Sequence, residues 1–161
     1  MATLFKTIYG RFFSKITDDM YLEYTEYDTN KDCQLMLINC LPKFEFPKQN
    51  LSYVLLPVNT GDEEDPSYFD NDLDSDEQNI LATLMMIEWL QRQITSIENT
   101  AQKFYGNSFK LTSQANHLDK LLKLKENCTS ENLYLQRLYK RRKINSDGTI
   151  TSAWSDFNTY N

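Results

Sequence analysis

The stretch 80–104 constrains this chain more than any other. Ile80, Thr83, Ile87, Leu90, Ile94, Ile97, Ala101 and Phe104 recur at spacings that alternate between three and four residues, the pattern of a long helix laid lengthwise on another helix. Its start is legible as well. Ser75, with Asp76 and Glu77 behind it and Gln78 three residues on, complements the free N–H groups and the positive dipole end of a helix N-terminus. Leu81, Leu84, Met85, Met86 and Trp89 widen the apolar face in the first half, and after Leu90 only the narrow seam remains. One end of the helix is therefore expected inside a body and the other projecting from it.

The partner helix follows. After a break at 105–111 that contains Gly106 and Asn107, a second pattern starts near Thr112 or Ser113 and runs to about Lys143. Its stripe is Ala115, Leu118, Leu121, Leu122, Cys128, Leu135 and Leu138. A short connection makes the two helices antiparallel. Two helices of about 30 residues are each about 45 Å long at 1.5 Å per residue, more than a small compact domain needs. Such a pair reads as a strut, and struts belong to assemblies.

The remaining elements are shorter. Leu4, Phe5, Ile8, Tyr9, Phe12, Phe13 and Ile16 form one apolar stripe of a first helix. Thr29 and Asp32 fit a capping box for a second, which carries Cys33, Met36, Leu37, Cys40 and Leu41 and is ended by Pro42. Phe44 and Phe46 alternate and 51–56 is rich in Leu, Tyr and Val, so short strands are expected within 44–56. Ile144 and Ile150 flank Asp147-Gly148, a hairpin signal near 144–151. The predicted fold is mainly α: a helical bundle with a long antiparallel helical hairpin and minor β, as one helical domain over 1–143 with an acidic loop at 58–74, then a C-terminal hairpin and docking tail over 144–161.

Charge is segregated along the chain. Residues 103–143 hold ten basic side chains against three acidic ones, a local charge of +7, so the remainder carries −13 of a total of −6. Asp62, Glu63, Glu64, Asp65, Asp70, Asp72, Asp74, Asp76 and Glu77 fall together without a Lys or Arg between them, which reads as a solvated acidic loop leading into the long helix. The ladder of aspartates at 70, 72, 74 and 76 resembles a calcium loop only at its opening, since Ser75 stands where the turn needs Gly and Leu81 where the ligand Glu belongs.

Catalytic signatures are missing. His117 has no second His or Cys at ligand spacing, and there is no glycine-rich phosphate loop and no nucleophile elbow. Cys33, Cys40 and Cys128 lack metal spacing and are expected as small buried thiols without a disulfide. No apolar run approaches the roughly 18 residues of a membrane span, and 1–15 has Lys6, Arg11 and Lys15 in place of a signal's apolar core. No enzyme activity, cofactor, metal or membrane contact is expected. The surfaces that invite a partner are Arg137 with Lys140, Arg141, Arg142 and Lys143 at the end of the last helix, near Tyr134 and Tyr139, and the tail aromatics Trp154, Phe157 and Tyr160, spaced three apart. A capped helix end explains the same cations without any partner.

A short aromatic helix, ITDDMYLEYTEYD, a helix ending in LPKFEF, then EQNILATLMMIEWLQRQI, SQANHLDKLL and LQRLYKRRK follow in order. Over roughly residues 4–145 this order resembles the head-to-tail connector (adaptor or neck) proteins of tailed bacteriophages. The resemblance implies a structural virion protein, made in the host cytoplasm and located at the neck of the portal vertex. It implies a homo-oligomeric ring, commonly twelvefold, that contacts the portal protein and tail or further neck proteins and encloses DNA without reading its sequence. On that reading Lys140 to Lys143 and the tail through Trp154, Phe157 and Tyr160 dock the subunit, while the acidic insertion has no counterpart in the family pattern. Two other classes fit the same residues: a small cytoplasmic DNA-binding regulator that uses the last helix, and a helical chaperone that binds a partner helix along the 80–104 seam.

Overall fold

Alternating apolar spacing yields helices wherever it persists, and the computed structural model, which describes residues 2–18, 20–59, 64–103, 108–144 and 150–152, is mainly α with minor β. Along the described residues the order is β1 (Thr3–Leu4), α1 (Phe5–Phe13), α2 (Met20–Glu23), α3 (Glu26–Cys40), a 3₁₀ turn (Leu41–Lys43), β2 (Tyr53–Val54), β3 (Tyr68–Phe69), α4 (Ser75–Lys103), α5 (Ser108–Arg141), β4 (Arg142–Ile144) and β5 (Ile150–Ser152). No described helix is long and apolar enough to cross a membrane.

α1, α3 and the first half of α4 make the core. Phe5, Ile8 and Phe12 of α1, Cys33, Met36, Leu37 and Cys40 of α3, and Leu81, Ala82 and Met85 of α4 are fully buried. Each large apolar side chain placed there contributes roughly 1.5–3 kcal/mol. α3 begins one turn earlier than the Thr29–Asp32 box predicts. Its cap is Thr25, whose Oγ1 accepts from the Asp28 N–H at 3.1 Å and donates to Asp28 Oδ2 at 2.8 Å. Both pairs satisfy the same spacing, and Asp32 is instead engaged by Tyr21 and Arg92. Pro42 ends α3 as expected, through the 3₁₀ turn.

Within 44–56 only Tyr53–Val54 is a strand. β3 lies between β1 and β2, antiparallel to both, with Phe69 opposite Thr3 and Tyr53, and Tyr68 opposite Leu4 and Val54. The predicted C-terminal hairpin is present as β4 and β5, paired Arg142 with Ser152 through Ile144 with Ile150. The acidic stretch is solvated only in part: Glu64, Asp70 and Asp72 are exposed, 60–63 lie outside the described residues, and between them Tyr68–Phe69 is the central strand of the sheet. Phe69 and Ser67 are fully buried and Asp65 is 2% exposed. Aromatic burial pulls the segment inward, since Phe69 packs against Phe5 with ring centroids 4.8 Å apart and planes tilted by 43°.

α4 starts at Ser75 as predicted, but its cap is Asp74. The Asp74 N–H donates to Glu77 Oε2 at 3.1 Å and the Glu77 N–H to Asp74 Oδ1 at 2.8 Å, a reciprocal box one residue ahead of Ser75 and Gln78. Those two side chains accept from Arg11 of α1 instead, at 3.2 and 3.0 Å. Three rungs make α5 antiparallel to α4: Tyr139 to Asp74, Asn132 to Ile80 and Lys125 to Gln91. The predicted stripe of α5 lies on its partly covered side, but it missed the residues that are fully buried. Among the described residues of α5 the buried side chains are Asn132, Gln136 and Tyr139, whereas Leu118, Leu121, Cys128, Leu135 and Leu138 are half-buried and Ala115 and Leu122 exposed.

Candidate functional site

Two features of α5 carry what this fold can do: a polar joint where its C-terminal end meets the body, and the face it turns outward. At the joint, Gln136 acts as a clasp. Its Oε1 accepts from the Glu45 N–H at 2.9 Å, and its Nε2 donates to Asn132 Oδ1 at 2.6 Å and to the Lys43 carbonyl at 3.4 Å. Asn132 in turn donates to the Ile80 carbonyl at 3.2 Å. Both side chains are 1% exposed, so every bond here replaces water that is no longer present.

Tyr139 closes the same joint from the N-terminal end of α4. Burial, and then the carboxylates of Glu77 and Asp74, push its phenol well above the ordinary tyrosine range. One phenolic proton serves one carboxylate: it goes to Asp74 Oδ2 at 2.9 Å, and Glu77 Oε1 is buried without a hydrogen-bond partner among the described residues. Lys48 lies over the Tyr139 ring at 4.4 Å and also donates to the Arg142 carbonyl, while Arg142 pairs with Asp76. A cleft bordered by Asp76, Asn79, Ile80, Leu138, Tyr139 and Arg142 has a volume of about 30 Å³, room for a water or two.

The predicted cationic cluster is therefore divided. Arg142 is tied to Asp76, and Lys140 sits 4.0 Å over the Phe46 ring. Arg137 and Arg141 are exposed, one turn apart on the outer face of α5, and make no hydrogen bond or ion pair among the described residues. Lys143 pairs through its backbone in the β4–β5 hairpin. Trp154, Phe157 and Tyr160 lie outside the described residues.

The outer face extends well beyond that cluster. Lys120, Lys123, Asn127, Ser130, Tyr134, Arg137 and Arg141 are all exposed and follow one another at alternating spacings of three and four. The three carboxylates of the helix, Asp119, Glu126 and Glu131, flank this line and do not interrupt it. Sequence reasoning stopped at the terminal cations because it searched α5 for apolar periodicity. The same periodicity sought among polar residues would have found the line.

The body holds other polar clusters, each of which joins elements. Asp65 accepts from the Tyr9 hydroxyl at 2.6 Å, from the Ser67 N–H at 2.9 Å and from Gln34 at 3.1 Å. Burial first, and Asp65 second, raise the Tyr9 phenol far above its ordinary range. Asp32 holds Arg92 at 2.6 Å and Tyr21 at 2.9 Å, and Asp18 accepts from Trp89 at 2.7 Å and Gln93 at 3.1 Å, which ties α4 to the elements before it. For Arg92, burial alone would lower the pKa, and the bond to Asp32 together with the electrostatic influence of Asp32, Tyr21 and Glu88 around it outweighs that and leaves it raised. Cys33 and Cys40 are buried thiols, Cys40 pushed up to about 12 by desolvation, and such groups are poor nucleophiles. His117 is exposed on α5, and no group of metal-ligating side chains forms among the described residues.

No family model, curated protein or solved structure matches this chain. Its own residues carry the functional argument.

Proposed function

We propose that the chain is a structural virion protein, a head-to-tail connector that assembles as a ring beneath the portal of a tailed bacteriophage and encloses the DNA channel. The observation that carries this reading is the arm. From Thr95 outward no described side chain of α4 is buried, and from Ala115 to Glu131 no described side chain of α5 is buried. Two packed helices of 29 and 34 residues are held by the body at one end only. A subunit of this shape reaches a neighbour without unfolding and sets the spacing between them. Its mechanism is mechanical: the joint fixes the angle of the arm, and the arm fixes the distance.

Ring closure needs two different surfaces on each copy. The body presents Leu22 at 84%, Leu35 at 55% and Leu55 at 50% exposure, and the arm presents helix faces that are polar apart from exposed Leu122 and Leu124. The fit to a connector also draws on the order of sequence blocks described above. Mass by light scattering, with electron microscopy of the same sample, tests the reading. The chain alone or mixed with a portal ring should give a closed ring of uniform copy number. A strict monomer in both conditions overturns it.

A further inference from the structure

We infer that the outward line of α5, from Lys120 to Arg141, is a surface that tracks the phosphate backbone of duplex DNA. Seven exposed residues lie on it: Lys120, Lys123, Asn127, Ser130, Tyr134, Arg137 and Arg141. Every one belongs to the residue types that contact phosphate oxygens, Arg and Lys by charge and Asn, Ser and Tyr by hydrogen bond. The line itself holds four cations and no carboxylate in a protein whose net charge is −6, with Asp119, Glu126 and Glu131 beside its first half and none beside Arg137 and Arg141.

Its geometry suits a straight polyanion. The two basic pairs, Lys120 with Lys123 and Arg137 with Arg141, stand about 26 Å apart at 1.5 Å per residue. Neutral hydrogen-bonding side chains fill the interval. Duplex DNA offers about one charge per 1.7 Å of axis, so both pairs meet phosphates at once without bending the helix. Charge spread along one helix face meets the backbone, which every sequence presents alike, so the contact is independent of sequence.

The competing occupant is the acidic segment of a second copy, and the fold argues against it. Within 64–77 five of the seven carboxylates have a place in the fold: Asp65 and Glu77 lie inside, Asp74 caps α4, Asp76 holds Arg142 and Glu64 holds Lys6. Asp70 and Asp72 are exposed but stand two positions apart in one loop, whereas the four cations extend along about 26 Å of helix. The spread of the outer cations of α5 suits an extended polyanion better than this short acidic segment.

Within a connector ring this face would be the wall that meets DNA. That placement rests on the connector reading, whereas the affinity of the face for duplex DNA does not. The test is fluorescence anisotropy of a labelled 30-base-pair duplex with the full chain over a salt series, alongside the mass of the protein in each sample. Four phosphate contacts give a slope of log affinity on log salt of about −3 to −4, or roughly a hundredfold loss between 50 and 200 mM salt. Arg137→Gln with Arg141→Gln should halve that slope, and neutralising Lys120 and Lys123 as well should bring it close to zero, with unchanged circular dichroism because all four side chains are exposed. A slope unchanged by these substitutions, or no duplex binding at 50 mM salt, overturns the inference. Tighter binding of polyglutamate than of duplex at equal charge also overturns it and assigns the face to an acidic protein. A monomer that binds DNA through these residues keeps the inference and removes the ring, and a ring indifferent to them does the opposite.

Discussion

Where α4 passes the body, Leu81, Ala82, Leu84, Met85 and Leu90 are each 5% exposed or less, and Asn132, Gln136 and Tyr139 of α5 close over it. Beyond Ile94 the same two helices continue with half-buried Ile97, Leu118 and Leu121 as their seam and nothing buried among the described residues. The inner part is fixed by directional bonds: Gln136 reaches the 43–45 backbone and Asn132 the Ile80 carbonyl, so a shift of one residue between the helices would break them together. The outer part is held by a narrow apolar line, which resists separation and says little about register. A protein built this way is stiff where the arm leaves the body and offers surface where it extends.

Cavities should expose the difference most sharply. Leu90→Ala, in the fully buried section, should cost about 2–5 kcal/mol of unfolding free energy in urea. Ile97→Ala, half-buried on the arm, should cost about 1 kcal/mol because less of its surface leaves water on folding. Equal costs would mean that the outer helices are packed as tightly as the core, and the distinction between joint and arm would disappear.

The clasp itself should rank next. Gln136→Ala leaves the Glu45 N–H, the Asn132 side chain and the Lys43 carbonyl without the partner they share, at about 1–3 kcal/mol. In a double-mutant cycle with Asn132→Ala the two losses should fall short of additivity by about 0.5–3 kcal/mol, since both residues serve one network. Strict additivity would show two unrelated surface bonds in place of one clasp.

What the sequence made legible follows the same boundary. The α4 seam and its starting residue could be read because apolar spacing and cap chemistry are local, and the α3 face with Cys33, Met36, Leu37 and Cys40 for the same reason. The contact face of α5 could not, because Asn132 and Gln136 look like surface residues until Ile80, Lys43 and Glu45 are placed beside them. Asp65 and Glu77 were read as solvated for an equivalent reason: charge is visible in a sequence, and the donors that allow its burial, Tyr9 and Gln34 for Asp65, lie more than thirty positions away in one case and more than fifty in the other. Thr25 and Thr29 each head a box of the right spacing, and only tertiary demand on Asp32 separates them. The site was half legible: the sequence located the cations at the end of α5, and the fold divided them between the joint and the outer face.

The smallest effect tests whether the joint also carries the alkaline sensitivity of the molecule. Tyr139→Phe removes one hydrogen bond to Asp74 and keeps the ring packed against Phe44 and beneath Lys48, so at neutral pH it should cost about 1 kcal/mol. The folded protein holds the Tyr139 proton above the ordinary value of 10.0, and an unfolded chain releases it near that value. Stability from this group is therefore complete below pH 10 and is lost as pH rises beyond it, because the unfolded state then binds fewer protons than the folded one. Tyr9 and Tyr21 act in the same direction, and Cys33 and Cys40 begin earlier, from the ordinary thiol value of 9.0. Urea midpoints should stay level up to about pH 9 and fall above it, and the fall beyond pH 10 should be shallower in Tyr139→Phe than in the parent. An identical alkaline slope in the two proteins would show that the phenol titrates freely, and with it that the end of α5 is looser than its burial implies.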